Sequence, residues 1–221
     1  VIRISKSGEA FSSVTEADGI YQPGFAVKGL AGAIYEITAA EDIITPDGTL
    51  RYTAGEVVDT VTTDETGLAE SKPLYLGKYE VREITAPTGY VLNTEVHTAE
   101  LVYAGQEVEI TETAADFCNE RQKAAVSLNK VLEQDERFGI GMGGELSAVT
   151  FGLFTAEELT AADGSIIPAD GLLEIVSVDE NGHAVCKTDL PFGSYYLKEL
   201  STDGHYILSD EKYPIVFEYA G

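Results

Sequence analysis

Tryptophan is absent from this 221-residue chain, methionine occurs once and cysteine twice. Two cysteines cannot build a disulfide framework. Cys118 and Cys186 fall in different halves, so free thiols are expected and any covalent reinforcement must come from elsewhere. Positive charge is also scarce: 14 Lys and Arg stand against 38 Asp and Glu, for a formal net charge of −24. Such a surface repels nucleic acid and anionic membranes, which excludes both as partners. An acidic shell keeps a secreted protein dispersed. Calcium binding is the alternative, but no loop of alternating Asp and Asn closed by glycine supports it. The sequence has no signal peptide and no apolar run of membrane-spanning length. It starts on one strand pattern, "VIRISK", and stops on another, "YPIVFEYAG", as a segment cut from something longer does. His97, His183 and His205 are dispersed without metal-ligand spacing, and "GIGMGG" (139–144) does not open a helix as a nucleotide loop does. No Ser-His-Asp arrangement can be assembled by motif, so no cofactor, no metal and no turnover enzyme are expected.

What is present is a globular composition, 44% hydrophobic and 24% charged, at a length that suits two domains. Self-comparison organises the chain. "GLAGAIYEITAAEDIITPDGT" (29–49) matches "ELSAVTFGLFTAEELTAADGS" (145–165) at an offset of 116, and "TTDETGLA" answers "SVDENGHA" at an offset of 115. Glu83 falls on Glu199, and "IRISK" answers "VSLNK" at an offset of 124, because the first copy carries a longer loop after its opening strand. The boundary lies in "NERQKAA", giving domains at 1–121 and 122–221. Within each copy the signals are mostly β. Runs at 2–6, 33–38, 56–62, 78–84, 97–103 and 108–113 are separated by Asp-Gly, Thr-Gly and Pro-containing turns. The fold class is all-β: two tandem immunoglobulin-like or prealbumin-like β-sandwich domains. The exception is "TAAEDI" and "TAEELTA", each short enough for one helical turn.

Strand parity brings out the chemistry. Ile2, Ile4 and Lys6 share one face of the opening strand; Glu83 shares a face with Tyr79 and Val81; Phe117 and Asn119 share a face of "DFCNER". A lysine, a glutamic acid and an asparagine thus enter one core, with Cys118 turned outward. One account is a buried ion pair with a hydrogen-bonded amide. The other is an isopeptide bond. Desolvation disfavours charged forms, so Lys6 can attack the Asn119 side-chain carbonyl as a neutral amine. Glu83, held protonated by the same desolvation, then donates a hydrogen bond to that carbonyl, polarises it and shuttles the proton to the departing ammonia.

The order of an early strand ending in Lys, then "GLAGAIYEI", "TTDETGLA", "LYLGKYEVREITAPTGY" and a closing "FCNE" resembles the B-type repeat of collagen-binding adhesins. The same prealbumin-like module occurs in SpaA-type pilins of Gram-positive bacteria. The family's L-x-x-G-x-Y-x-x-x-E-x-x-A-P-x-G-Y pattern is met in full by Leu74, Gly77, Tyr79, Glu83, Ala86, Pro87, Gly89 and Tyr90. The resemblance implies a Lys6–Asn119 cross-link assisted by Glu83, formed once and without a cofactor. In the second copy Lys130 and Glu199 match, but Ser201-Thr202 replaces Ala-Pro. Gly221 aligns with Gly105, about fourteen residues before any equivalent of Asn119, so the second copy is expected to lack its final strand and its bond. "LPFGS" (190–194) is similar to a sortase signal but lies inside the repeat.

The implied function is a structural stalk segment of a secreted, cell-wall-anchored surface protein, a pilin or adhesin, with neighbouring repeats as partners. The alternative is a module that itself binds host matrix protein or glycan. Residues 7–28 and 43–58, expected as loops, are where that surface would sit. The lack of Trp, and 12 Tyr and 8 Phe mostly on core parity, argue against it.

Overall fold

The computed structural model describes all of residues 1–221. It is nearly all β, and the chain divides into two compact units. The first comprises Val1–Ala10, Ala26–Gln122 and Gly221; the second comprises Phe11–Phe25 and Lys123–Ala220. Residues 11–25, inside the 1–121 range expected for the first domain, therefore lie with the second unit.

The first ten strands are β1 (Ile2–Ala17), β2 (Ile20–Gly29), β3 (Ile34–Ala39), β4 (Ile43–Ile44), β5 (Leu50–Tyr52), β6 (Val57–Thr62), β7 (Leu68–Glu70), β8 (Gly77–Thr85), β9 (Val96–Leu101) and β10 (Thr113–Asn119). In the first unit, an antiparallel sheet runs β6-β3-β8-β9. Against it stands β1, flanked by β10 in parallel and β7 in antiparallel pairing. The first strand thus lies beside the last, and Lys6 sits opposite Phe117. Alternate residues of both layers fill one core: Ile2 and Ile4, Tyr35 and Ile37, Tyr79 and Val81, Ala115 and Phe117. Each fully buried large apolar side chain contributes roughly 1.5–3 kcal/mol. This alternation holds β1, β8 and β10 in one register.

The remaining strands are β11 (Ser127–Asn129), β12 (Thr150–Thr155), β13 (Leu159–Thr160), β14 (Ile166–Ile167), β15 (Leu172–Ser177), β16 (His183–Val185), β17 (Gly193–Ser201) and β18 (Lys212–Phe217). In the second unit β15-β12-β17-β18 repeats the order of the first sheet, β11 pairs with β16 as β1 does with β7, and β13–β14 repeats the β4–β5 ribbon. "LPFGS" leads into β17.

Several expectations are corrected. Residues 7–28 are not a loop: β1 and β2 form a long hairpin, turned at Asp18 and Gly19 with φ of 52° and 77°. Positive φ at both central residues is the tight hairpin turn that Asp-Gly favours. Residues 43–58 likewise contain β4 and β5. The turns "TAAEDI" and "TAEELTA" are not helical, because their amides are taken by neighbouring strands: Ala40 N donates to Lys78 O at 2.9 Å and Ala156 N to Ser194 O at 2.8 Å. The one helical turn is a 3-10 segment at Glu145–Ala148. Of residues 108–113 only Thr113 belongs to a strand, as the first residue of β10. Val108 and Ile110 are exposed, and pairing begins only where Thr113 N reaches Val1 O at 3.2 Å. Of the aromatics, Tyr35, Tyr79, Phe117, Phe151, Tyr195 and Tyr196 are buried; Tyr75, Tyr103, Phe138, Phe192, Tyr213 and Tyr219 are exposed near strand ends and in loops, where the alternation lapses.

Candidate functional site

Three strands converge on one buried polar cluster in the first unit. Lys6 is 1% exposed, Glu83 2% and Asn119 2%, each continuing the inward face of its strand. The structure brings together all three residues that parity singles out. The Lys6 Nζ lies 3.1 Å from Glu83 Oε1 and donates to Asn119 Oδ1. The Asn119 Nδ2 donates to Glu83 Oε1 at 3.0 Å and Oε2 at 2.9 Å. The carboxylate therefore faces the amide nitrogen and not the carbonyl, which Lys6 occupies. That corrects the expected contact of Glu83 with the carbonyl oxygen.

The surroundings are apolar. Lys6 Nζ stands 6.0 Å from the Tyr35 ring centroid and 5.9 Å from that of Phe117. Burial lowers the Lys6 pKa, against the opposing hydrogen bond and charge of Glu83. Burial likewise raises the Tyr35 hydroxyl.

Backbone contacts that strand parity does not disclose hold the cluster in place. Lys6 N donates to Gly67 O at 2.7 Å, and Lys6 O accepts from Leu30 N at 3.0 Å. Gly67 has φ of 83°, and a Cβ there would stand 2.3 Å from Lys6 O. Only glycine fits so close an approach. Asn93 N donates to Glu83 Oε2 at 2.7 Å, leaving the other carboxylate oxygen towards Lys6. The "TTDETGLA" turn pointed towards Gly67; nothing local pointed towards Asn93.

The second unit carries the same frame. Lys130 Nζ lies 2.8 Å from Glu199 Oε1, Lys130 N donates to Gly182 O at 2.7 Å, and Ser209 N donates to Glu199 Oε2 at 3.1 Å. Glu199 is buried, while the Lys130 side chain is 24% exposed. Cys118 is exposed and Cys186 half-buried, both free thiols.

An antiparallel sheet packed on a second, mixed layer of strands around a buried Lys-Glu-Asn cluster defines the class as a prealbumin-like β-sandwich. Residues 26–114 match the family described as SpaA, prealbumin-like fold domain. Among curated proteins the chain is similar to the trypsin-resistant surface T6 protein of Streptococcus pyogenes serotype M6, 33% identical over 81 residues, or 36% of this chain and 15% of that protein. Among solved structures it is similar in fold to the Bacillus anthracis TIE protein, with a TM-score of 0.57 and 21% identity over 100% of this chain and 31% of that one. A streptococcal ancillary pilin aligns at a TM-score of 0.32 and 20% identity, over 98% of this chain and 57% of the pilin. The chain thus resembles the SpaA-type, prealbumin-like repeat domains of Gram-positive surface proteins, and spans a minor part of the T6 and TIE proteins.

Proposed function

We propose that Lys6 and Asn119 become joined by an isopeptide bond, and that the chain is a stalk segment of an extracellular, cell-wall-anchored pilin or adhesin. The observation that carries this is the contact of the Lys6 amine with the Asn119 carboxamide inside an apolar core, with Glu83 touching both.

In the reaction, the neutral Lys6 amine adds to the Asn119 side-chain carbon. The C–N bond to the carboxamide nitrogen breaks, and that nitrogen leaves as ammonia. Glu83 accepts the lysine proton through Oε1 and returns a proton to the departing nitrogen, which its two oxygens already meet. Glu83 ends as it began, so the step needs no cofactor and occurs once. Strands β1 and β10 hold the reactants together, which supplies much of the rate as effective concentration.

The bond would join the first strand to the last. Tension entering near Val1 and leaving near Asn119 would then pass through covalent bonds and bypass the sheets. The trypsin resistance in the name of the streptococcal relative is consistent with such a cross-link. Single-molecule pulling tests this role. The linked first unit should refuse to lengthen at the force that unfolds an Asn119→Ala chain; equal extension in the two would reject it.

A further inference from the structure

The second unit holds an element that the first copy carries in sequence. The arm, Phe11–Phe25, adds β2 to the edge of β15, with Ile20 paired in parallel with Leu172. Phe11, Val14 and Tyr21 pack on that unit's core. Ser165 Oγ accepts from Val14 N at 2.7 Å, Asp163 N donates to Ser12 O at 3.1 Å, and Gln22 Nε2 donates to Leu173 O at 3.2 Å.

The equivalent edge of the first unit is β6, which ends its sheet without a further strand. By the repeat, Val57 falls on Leu172 and Thr49 on Ser165. Val57 is 49% exposed and Thr49 is exposed, whereas Leu172 and Ser165 are half-buried beside the arm. Thr49 retains a hydroxyl where Ser165 receives Val14 N. Asp47 retains the backbone N–H that Asp163 gives to Ser12. Pro46 stands where Ala162 N donates to Phe11 O at 3.3 Å, so one of the bonds is lost.

We propose that β6 and the adjoining β4–β5 ribbon form a docking edge for a β-hairpin arm of this same kind, carried by a preceding repeat. The occupant follows from the order seen within the chain, where the arm belongs in sequence to the copy before the one it completes. Recognition is strand addition: main-chain bonds to an open edge, with an apolar face of the arm covering Val57. Applied repeat by repeat, each arm would complete the next sandwich. This rests on the stalk reading, but is independent of the isopeptide chemistry.

Hydrogen exchange of the full chain provides the test, with a backbone-cyclised peptide of residues 7–28 as the probe. The amides at the start of β6, around Val57, should exchange about tenfold more slowly when the peptide is added. A peptide with Phe11, Val14 and Tyr21 changed to Ser should give no protection, and Val57→Lys in the chain should abolish it. The same arm fused ahead of Val1 by a Gly/Ser linker should protect β6 in cis at high effective concentration. Unchanged exchange of β6 in both formats, or protection confined to β15, would overturn the proposal. Failure here leaves the mass of the chain untouched, so it is distinguishable from failure of the cross-link.

Discussion

Lys6 Nζ stands 3.1 Å from Glu83 Oε1 with both side chains fully shielded from solvent. A lone buried charge would be expensive, and a buried ion pair does little more than offset its own desolvation. The third member, Asn119, bonds both partners, which is the arrangement the proposed cross-link requires.

Asn119→Ala should lose the cross-link and much of the stability of the first unit. The closed loop spans 113 residues between Lys6 and Asn119. A link across such a loop stabilises by about 4–5 kcal/mol in the chain-entropy estimate. Urea unfolding of the two chains checks it: the midpoint of the variant should fall clearly, and an unchanged midpoint would contradict the bond.

Gly67→Ala should cost about 1–3 kcal/mol, because the new Cβ meets the Lys6 carbonyl at a positive φ. Gly32→Ala is the control. Its φ is also 83°, but nothing lies within 4 Å of the added carbon, so the loss there should be smaller. Refolding followed by mass spectrometry should also show slower ammonia loss in the Gly67 variant alone.

Lys130 should remain a free amine in this chain while Lys6 does not. Acetylation of the unfolded protein followed by peptide mapping should modify Lys130 and leave Lys6 blocked. A Lys130 peptide linked through its side chain would refute the assignment.

The two thiols should differ in reactivity. Burial, aided by the nearby Glu174, pushes the Cys186 thiol up to about 11, so little thiolate exists near pH 8. Cys118 is exposed. Iodoacetamide at pH 8 should label Cys118 first. Labelling of Cys186 should rise with pH towards 11, or on unfolding.

The cluster was legible because strand parity is a local signal. Two-residue alternation places Lys6 beyond Ile4, Glu83 beyond Val81 and Asn119 beyond Phe117, and the structure buries all three. The all-β class followed from the same alternation. The arm was not legible in this way. "AFSSVTEADGIYQPGF" is rich in small and polar residues and read as a loop, although its Asp-Gly pair is a hairpin signal. What makes it two strands is the pairing of β1 with β2 across the Asp18-Gly19 turn, and what assigns it to the second unit is contact some 150 residues away, Ile20 with Leu172, which no local period encodes. Asn93 was missed for the same reason, since its role is that of a backbone amide and not of a side chain. Residues 108–112 show the converse failure: alternation without a neighbouring strand gives only a bend and irregular chain.

The most direct test is the intact mass of the denatured 221-residue chain beside that of Glu83→Gln. The unaltered chain should weigh one ammonia less than its sequence. The variant, unable to carry the proton, should keep the full mass. A wild-type chain at full sequence mass after folding would leave Lys6 and Asn119 as neighbours only, and would contradict the account.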